Sequence, residues 1–349
     1  MMYRPFIIVI AMAISGGCGQ TDDDSVQSPE LAIPAVYANA TYADGIQVTT
    51  HTYGQGQVHT AWMGPVARAS EHDDVTNGII DLKLDVYEPT AAPPNRPAIL
   101  IIHGGGFRGG TRDKSNCVAF ANYFAARGFV AISISYRLAK HRGTIPQAWF
   151  DIFAGLDIAD DAREQGLAIY PAARDSKAAL RWLHAHAETF GVNPNFITTL
   201  GGSAGSQLAI ILGVTDAEDV RDELTIEQDP TLVSTHLDAP TEVHTIVEHW
   251  GGTTGLQILE ALDGQNRFDE TDPPMSIVHG TADDTVSFAE SERLRDEYVR
   301  TGVPYAYYPI EGAGHGAWNK TVVVDDEAIR LEPLAFEFVV EQQGLNLVP

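Results

Sequence analysis

Residues 200–213 read LGGSAGSQLAIILG, and this stretch decides the fold. Within it Gly201, Ser203 and Gly205 form the pattern G-x-S-x-G, between a short apolar run and an apolar helical stretch. A sharp turn from strand to helix strains the backbone of its central residue, and the residues two positions away must lack side chains to avoid collision. The pattern therefore predicts that Ser203 presents its hydroxyl above the end of a strand, beside the unpaired amides of the following helix.

Apolar runs on both sides of this stretch predict an α/β fold. Two of them, 98–102 and 129–135, are apolar on both faces, which is typical of strands buried on both sides in a parallel sheet. Further strands are predicted at 196–200, 244–250, 275–279 and 304–310, and helices at 113–127, 173–190, from about 203, 288–301 and 326–343. Segments 45–63 and 79–88 alternate with period two and predict antiparallel strands. We therefore expect a mostly parallel twisted sheet with helices on both faces and an antiparallel hairpin at its start.

A glycine-rich motif follows the predicted strand 98–102. His103 is followed by three glycines and then by Phe107. Consecutive glycines cost conformational entropy, which indicates that the backbone itself must approach something closely. Exposed amides beside a nucleophile can stabilise the oxyanion of a tetrahedral intermediate. We predict that this oxyanion hole is formed by the amides of Gly105, Gly106 and Ala204.

The motifs, taken in order, resemble those of α/β-hydrolases of the HGGG class, the carboxylesterases related to hormone-sensitive lipase and to bacterial feruloyl-esterase-like proteins. The resemblance covers about residues 76–345 and consists of HGGGF at 103–107, SISYRLA at 133–139, YPAARDSKAALRWL at 170–183, GGSAG at 201–205, HGTADDTV at 279–286 and GAGHG at 312–316. The chain departs from the family in its long segment after Leu138 and in Gly202 and Ala204, which stand where related oligopeptidases have a Tyr beside the serine. The latter departure argues against peptidase action.

A nucleophilic serine needs a base, and the base needs an orienting acid. His315 lies in a glycine-rich loop after a predicted strand, and its order and context make it the expected base. The segment HGTADDTV offers Asp283 or Asp284 as the acid. The resemblance selects Asp283, because the family places the acid four residues after the histidine that stands here as His279. The chain order Ser203, Asp283, His315 is the one typical of this fold.

These residues lead us to expect a serine carboxylic ester hydrolase that cleaves short-chain or aromatic acyl esters through an acyl-enzyme. The reaction requires no metal and no organic cofactor. Two alternatives remain open: a serine peptidase or amidase on the same scaffold, and a catalytically inactive, esterase-like binding protein. Phe107 and Trp250 are weaker candidates for contact with the substrate, on the strength of their position near the predicted sheet edge. For Trp250, packing on the core is an equal alternative.

The N-terminus predicts export. Residues 1–17 contain one Arg and an apolar run, and small residues precede Cys18, as in a bacterial lipoprotein cleavage site. We expect a signal peptide over 1–17, a flexible tether over 18–44 with lipid on Cys18, and a single catalytic domain over 45–349. The protein is then a membrane-anchored lipoprotein at the periplasm or cell surface, or otherwise secreted.

Composition restricts the partners. The chain has 349 residues, of which 22 are basic and 47 acidic, giving a formal charge of −25. This charge argues against nucleic-acid binding, which needs a basic face. The acidic clusters at 22–24, 71–74 and 159–164 lack the ordered spacing of metal ligands, so we expect them to form a solvated acidic face. The expected partner is a small-molecule or polymer-borne ester.

Two further segments and three further residues are assigned roles outside the chemistry. Two long segments, 139–172 and 214–243, exceed what a crossover connection needs and are candidate lids. Arg137 and Asp175 are expected to pair and tie the sheet to a helix, with Asp175 capping that helix. Cys117, beside apolar residues in a helical pattern, is expected to be buried and inert.

Overall fold

The computed structural model describes residues 32–59, 62 and 76–349. The predicted signal peptide, Cys18 and most of the predicted tether lie outside the described residues. Within those residues, no helix has the length and apolar character needed to cross a membrane.

The centre of the molecule is a sheet of eight strands in the order β2-β3-β5-β4-β6-β7-β8-β9. Neighbouring strands from β5 to β9 pair in parallel, whereas β3 pairs antiparallel with both β2 and β5. This agrees with the predicted parallel sheet led by an antiparallel hairpin. The strands are β2 Ile46–His59, β3 Thr76–Pro89, β4 Arg96–Ile102, β5 Val130–Ile134, β6 Val192–Gly202, β7 Thr245–His249, β8 Met275–Gly280 and β9 Tyr305–Ile310.

Helices cover both faces of the sheet, as predicted. They are α1 Ser115–Ala125, α2 Gln147–Ala154, α3 Asp160–Ala185, α4 Ala204–Val214, α5 Thr254–Asp263, α6 Ala289–Thr301 and α7 Leu331–Gln342. Strand β4 shows how the two faces separate: Leu100 and Ile102 pack into one hydrophobic cluster with residues of α2 to α6, while Ile99 and Ile101 pack into another with α1 and α7. Because successive side chains of a strand point to opposite faces, a fully apolar strand serves both cores.

Two small sheets complete the fold. Strands β10, Thr321–Val324, and β11, Glu327–Arg330, form an antiparallel hairpin where the sequence predicts the start of the last helix. Strand β1, Ala35–Tyr37, pairs in parallel with β12, Asn346–Val348. The prediction that the folded domain begins at residue 45 is therefore wrong by about ten residues. Val36 is fully buried in the core on the α1 and α7 side, which accounts for the order of this segment.

Helix α3 begins 13 residues before the predicted start at 173 and contains Pro171 in its interior. Its buried face carries Arg174, Lys177 and Arg181, which anchor the segment 214–243. Arg174 pairs with Asp229 at 3.3 Å, Lys177 Nζ donates to the Thr215 hydroxyl at 3.1 Å and to the carbonyls of Asp216 and Asp219, and Arg181 donates to the Thr235 carbonyl at 2.9 Å. This segment is predicted to be a lid, and the structure shows it tied to α3 by buried cations instead.

The predicted pair of Arg137 and Asp175 is present. The two side chains are each 2% exposed, and the Asp175 carboxylate accepts hydrogen bonds from the Arg137 backbone amide and from its guanidinium at 2.7–3.1 Å. Glycines make room for the guanidinium, since a Cβ at Gly56 or Gly143 would lie within 3.0 Å of it. The expected capping role of Asp175 is wrong, because α3 starts at Asp160 and places Asp175 inside the helix.

Candidate active site

The turn Gly201–Gly205, here called the serine turn, joins β6 to α4. Ser203 has φ 58° and ψ −125°, a conformation that side chains with a Cβ rarely adopt. The flanking glycines are required by contact: a Cβ at Gly201 would lie 2.1 Å from the Gly205 carbonyl oxygen, and one at Gly205 would lie 2.1 Å from the Ile102 carbonyl oxygen. The steric reason for the G-x-S-x-G pattern is therefore present in the structure.

Three predicted residues meet at the carboxyl edge of the sheet. Ser203 follows β6, Asp283 follows β8 and His315 follows β9. The Ser203 hydroxyl lies 2.9 Å from His315 Nε2, and His315 Nδ1 lies 2.7 Å from Asp283 Oδ2. The structure thus connects the candidate nucleophile, base and acid in one hydrogen-bonded chain.

The structure also separates the two candidate acids. The Asp283 side chain is fully buried, and its Oδ1 accepts the amides of Thr285 and Val286 at 2.9 Å each. Burial alone would raise the pKa of Asp283, but these amide hydrogen bonds and the contact with His315 lower it below its usual value. Asp284 is exposed, and its carboxylate accepts a 3.4 Å hydrogen bond from the hydroxyl of Thr285.

Residues 103–107, here called the glycine loop, lie against the serine turn. A Cβ at Gly104 would approach the Gly202 carbonyl oxygen to 2.4 Å and Ser203 Cβ to 3.2 Å, so only glycine permits this approach. Gly105 and Gly106 have φ values of 136° and 59°, which glycine adopts freely. Among the described residues, the amides of Gly105, Gly106 and Ala204 donate to no protein acceptor. They are thus free to bind an oxyanion near Ser203.

The motif after β5 supports the glycine loop. The Tyr136 hydroxyl donates to the His103 carbonyl at 2.8 Å, and the rings of Tyr136 and His103 stack at 4.2 Å. The Ala139 amide donates to the Phe107 carbonyl at 2.8 Å. These contacts give the SISYRLA motif a physical role, because they hold both ends of the loop that carries the candidate oxyanion amides.

Phe107 and Trp250 do not occupy the predicted position. Each side chain is 1% exposed, Phe107 in the core on the α2 to α6 side and Trp250 in the other core. The expectation of substrate contact is wrong for this conformation, because a side chain that contacts substrate must expose surface to it. Both aromatic rings instead fill space behind the loops that carry the site.

Trp318 is a site residue that sequence reasoning missed. Its half-buried ring packs against Gly202, directly beside Ser203 in the chain. A Cβ added to Gly202 would lie 2.3 Å from the ring. It packs edge-on against Trp250 at 4.6 Å and against His249 at 5.3 Å. The available signal was a Trp three residues after His315 together with a glycine before the serine.

Glu248 is a second residue that sequence reasoning missed. It is fully buried at the end of β7, and its Oε1 accepts the Ser206 hydroxyl at 3.1 Å and the Gly251 amide. The adjacent His249 carbonyl accepts the Ser203 amide at 2.9 Å, so Glu248 braces the strand end that holds the serine turn. Burial raises the pKa of Glu248 to about 7, against the lowering effect of the hydrogen bonds from Gly251 and Ser206.

Two further expectations concern thiols and metals. Cys117 is buried, and burial raises its pKa to about 11, which agrees with the predicted inert thiol. Within the described part of the chain, no group of three or more His, Cys, Asp or Glu side chains is arranged to hold a metal ion. The acidic cluster at 71–74 lies outside the described residues.

The fold and the arrangement of the site define the chain as an α/β-hydrolase. The chain belongs to the BD-FAE family, whose sequence model matches residues 84–165 and 158–267, more than half of its length.

Two of the curated relatives are esterases by name. Carboxylesterase NlhH of Mycobacterium tuberculosis is 30% identical over 172 residues, covering 49% of this chain and 46% of the relative. Esterase LipC of the same organism is 26% identical over 259 residues, covering 67% of this chain and 56% of the relative. The chain therefore spans about half the length of these curated relatives.

Solved structures show the same fold. A thermophilic esterase of Thermogutta terrifontis with propionate bound superimposes with a TM-score of 0.56 at 23% identity, covering 88% of this chain and 97% of that chain. Esterase 2 of the same organism, phosphorylated by paraoxon, gives a TM-score of 0.55 at 25% identity, covering 87% of this chain and 97% of that chain.

The contact between Asp283 and His315 predicts a large difference between neighbouring acids. Asp283→Asn should lower kcat roughly 10⁴-fold, because an amide at this position favours the wrong tautomer of His315. Asp284→Asn is the matched control and should stay within about threefold of the unsubstituted protein, since its side chain is exposed. Steady-state hydrolysis of a nitrophenyl ester measures both variants, and the reverse ranking would contradict the assignment of the acid.

The contact between Gly202 and Trp318 predicts a coupled pair. Gly202→Ala alone should lower the free energy of unfolding by about 1–3 kcal/mol, because its Cβ collides with the ring. In the double variant with Trp318→Leu, this cost should shrink by about 1 kcal/mol or more. Urea unfolding of the four proteins in the cycle measures the coupling, and strictly additive effects would refute the contact.

The raised pKa of Glu248 predicts a pH-dependent stability. The folded state holds this proton up to about pH 7 and the unfolded state only to about pH 4.5, so stability falls as pH rises through this window. The slope contributed is at most about 1.4 kcal/mol per pH unit. In urea unfolding at pH 5 and pH 8, the loss of unfolding free energy between the two pH values should be smaller for Glu248→Gln than for the unsubstituted protein. Glu260→Gln, at an exposed site on α5, is the control and should leave the loss unchanged.

Proposed function

We propose that this protein is a serine carboxylic ester hydrolase that acts on short-chain or aromatic acyl esters through an acyl-enzyme. The observation that carries the proposal is the chain of hydrogen bonds from Ser203 through His315 to the buried Asp283, at 2.9 Å and 2.7 Å. A hydroxyl that donates to an imidazole held by a carboxylate is the arrangement that makes serine a strong nucleophile.

In the first half of the reaction, His315 Nε2 takes the proton of Ser203 as the serine oxygen attacks the ester carbonyl carbon. The carbonyl oxygen becomes an oxyanion and accepts hydrogen bonds from the amides of Gly105, Gly106 and Ala204. The tetrahedral intermediate then collapses, the bond to the alcohol oxygen breaks, and His315 gives its proton to the departing alcohol. Asp283 remains ionised and stabilises the imidazolium that forms in between.

In the second half, water takes the place of the alcohol. His315 removes a proton from the water as its oxygen attacks the acyl carbon of the ester formed with Ser203. The same three amides stabilise the second oxyanion. Collapse returns the proton to the serine oxygen and releases the carboxylic acid, so every proton removed is given back within the cycle.

The comparisons favour an ester as the substrate. Relatives of this chain are named carboxylesterase and esterase, and similar structures hold propionate or butyrate or are phosphorylated by paraoxon. Short carboxylates are the acid products of short-chain esters, and phosphorylation by an organophosphate is the reaction of an activated nucleophile. We therefore propose esters of small acyl groups as the substrates of this protein.

We further propose that the protein is exported and anchored by lipid on Cys18. The support is the apolar run followed by small residues before Cys18. A small or polymer-borne ester outside the cytoplasm is then the substrate. Metabolic labelling with a fatty-acid analogue, compared between Cys18 and a Cys18→Ala variant, tests the anchor without bearing on the activity.

The hydrolase proposal predicts that Ser203→Ala abolishes hydrolysis of nitrophenyl acetate while the circular dichroism spectrum and Tm stay unchanged. Ser234→Ala is the matched control, because its hydroxyl bonds to the Gln55 amide on β2 and should leave turnover unchanged. Near-normal turnover by folded Ser203→Ala would refute the proposal.

Two measurements separate the alternative functions. A fluorophosphonate probe should label the unsubstituted protein at Ser203, whereas a catalytically inactive binding protein would remain unlabelled. An ester and an amide of one acyl group, measured side by side, should differ in kcat/KM in favour of the ester. A preference for the amide would favour the peptidase or amidase function.

A further inference from the structure

His279 is a second histidine in contact with the candidate catalytic acid. It lies near the end of β8 and is fully buried. Its Nε2 lies 3.2 Å from Asp283 Oδ2 and 3.0 Å from the Val286 carbonyl oxygen. The mechanism proposed above makes no use of this residue.

The contacts of His279 determine where its proton lies. The Val286 carbonyl can only accept a hydrogen bond, so Nε2 must carry the proton, and this N–H group also lies beside Asp283 Oδ2. His279 Nδ1 is buried and has no partner among the described residues, as expected for a nitrogen without a proton. Burial lowers the pKa of His279, and the titratable groups that act on it are Asp283 and His315. His279 is therefore a neutral donor.

This donor completes the coordination of the carboxylate. Oδ1 of Asp283 accepts hydrogen bonds from two backbone amides, Oδ2 accepts one from His315 Nδ1, and His279 Nε2 lies 3.2 Å from the same Oδ2. Without His279, the only side chain on Oδ2 would be His315, which must change its protonation state during each turnover. A carboxylate held by a partner that does not titrate with the reaction keeps its direction throughout the cycle.

We propose that His279 is a positioning residue for the triad: it fixes Asp283 Oδ2 toward His315 and reduces the basicity of that oxygen. The inference rests on the proposed function of the triad and adds a fourth side chain to it. The polar N–H group of His279, whose nitrogen lies 3.2 Å from Oδ2, stabilises negative charge on that oxygen. Its loss should strengthen the attraction between Asp283 and the protonated form of His315, and so raise the pKa of the base.

The experiment compares three substitutions of His279. In His279→Gln the amide nitrogen can reach the position of Nε2, in His279→Asn the shorter side chain cannot, and in His279→Leu no donor remains. We expect kcat to fall about 10- to 100-fold in the Asn and Leu variants with KM within about threefold, because a polar contact with a charged group is lost and that group does not bind the substrate. His279→Gln should recover most of kcat.

The pH profile gives a readout that a general loss of packing would not move. The acid limb of kcat/KM should shift to higher pH in the Asn and Leu variants and stay in place in the Gln variant. His244→Leu is the control. This part-buried histidine directly precedes β7, so it lies at the amino-terminal ends of the parallel strands, away from the triad, and its Nδ1 accepts a hydrogen bond from the Ile197 amide. It should change the Tm without moving the pH profile.

A substrate-free measurement distinguishes failure of this inference from failure of the proposed function. The proton between His315 Nδ1 and Asp283 gives a low-field NMR resonance, which should shift in the Asn and Leu variants and remain near its position in the Gln variant. Equal kcat values and superimposable pH profiles for the Gln, Asn and Leu variants would overturn the role of His279. If the unsubstituted protein neither hydrolyses esters nor reacts with the probe, the proposed function is overturned instead. In that case the NMR resonance alone tests the positioning role, and a resonance that does not shift in the Asn and Leu variants would overturn it.

Discussion

The strained backbone at Ser203 is the constraint on which the site depends. A positive φ at a serine persists only where surrounding contacts enforce it, and these contacts come from several parts of the fold. Carbonyl oxygens pack at the places where Gly201 and Gly205 lack a Cβ, and the Ser203 amide is bound by the end of β7. Tight packing of three neighbouring strands therefore determines the direction of one hydroxyl.

The parallel sheet brings distant residues to that hydroxyl. Parallel strands end at the same edge, so the loops after β4, β6, β8 and β9 carry the glycine loop, the serine, the acid and the base to one place. The supporting residues are attached in the same way: Glu248 ends β7, His279 is on β8, and Tyr136 follows β5. The site is thus built on rigid strand ends, and its loops need to span only a few residues each.

The sequence predicted this framework because the parallel strands of the central sheet contain short apolar runs and each chemical group follows one of them, while the two antiparallel strands alternate with period two. It could not predict features that arise from packing between distant segments. Pro171 and the polar residues before it hide the first half of α3, since a proline usually ends a helix. Helix α5 and the β10–β11 hairpin were not predicted at all. Trp318 reaches the site only because Gly202 lacks a side chain. The one local sign of a role for Glu248 was the presence of a carboxylate within the apolar run of β7.

The burial of Arg137 has a consequence for how this family can diverge. The guanidinium needs the carboxylate of Asp175 for charge and the missing side chains of Gly56 and Gly143 for space. Loss of either charge alone leaves the other uncompensated in the interior, at a cost of about 3–5 kcal/mol. The four positions, 56, 137, 143 and 175, are therefore expected to vary together within the family. A relative in which one of them is substituted should carry substitutions at the others as well.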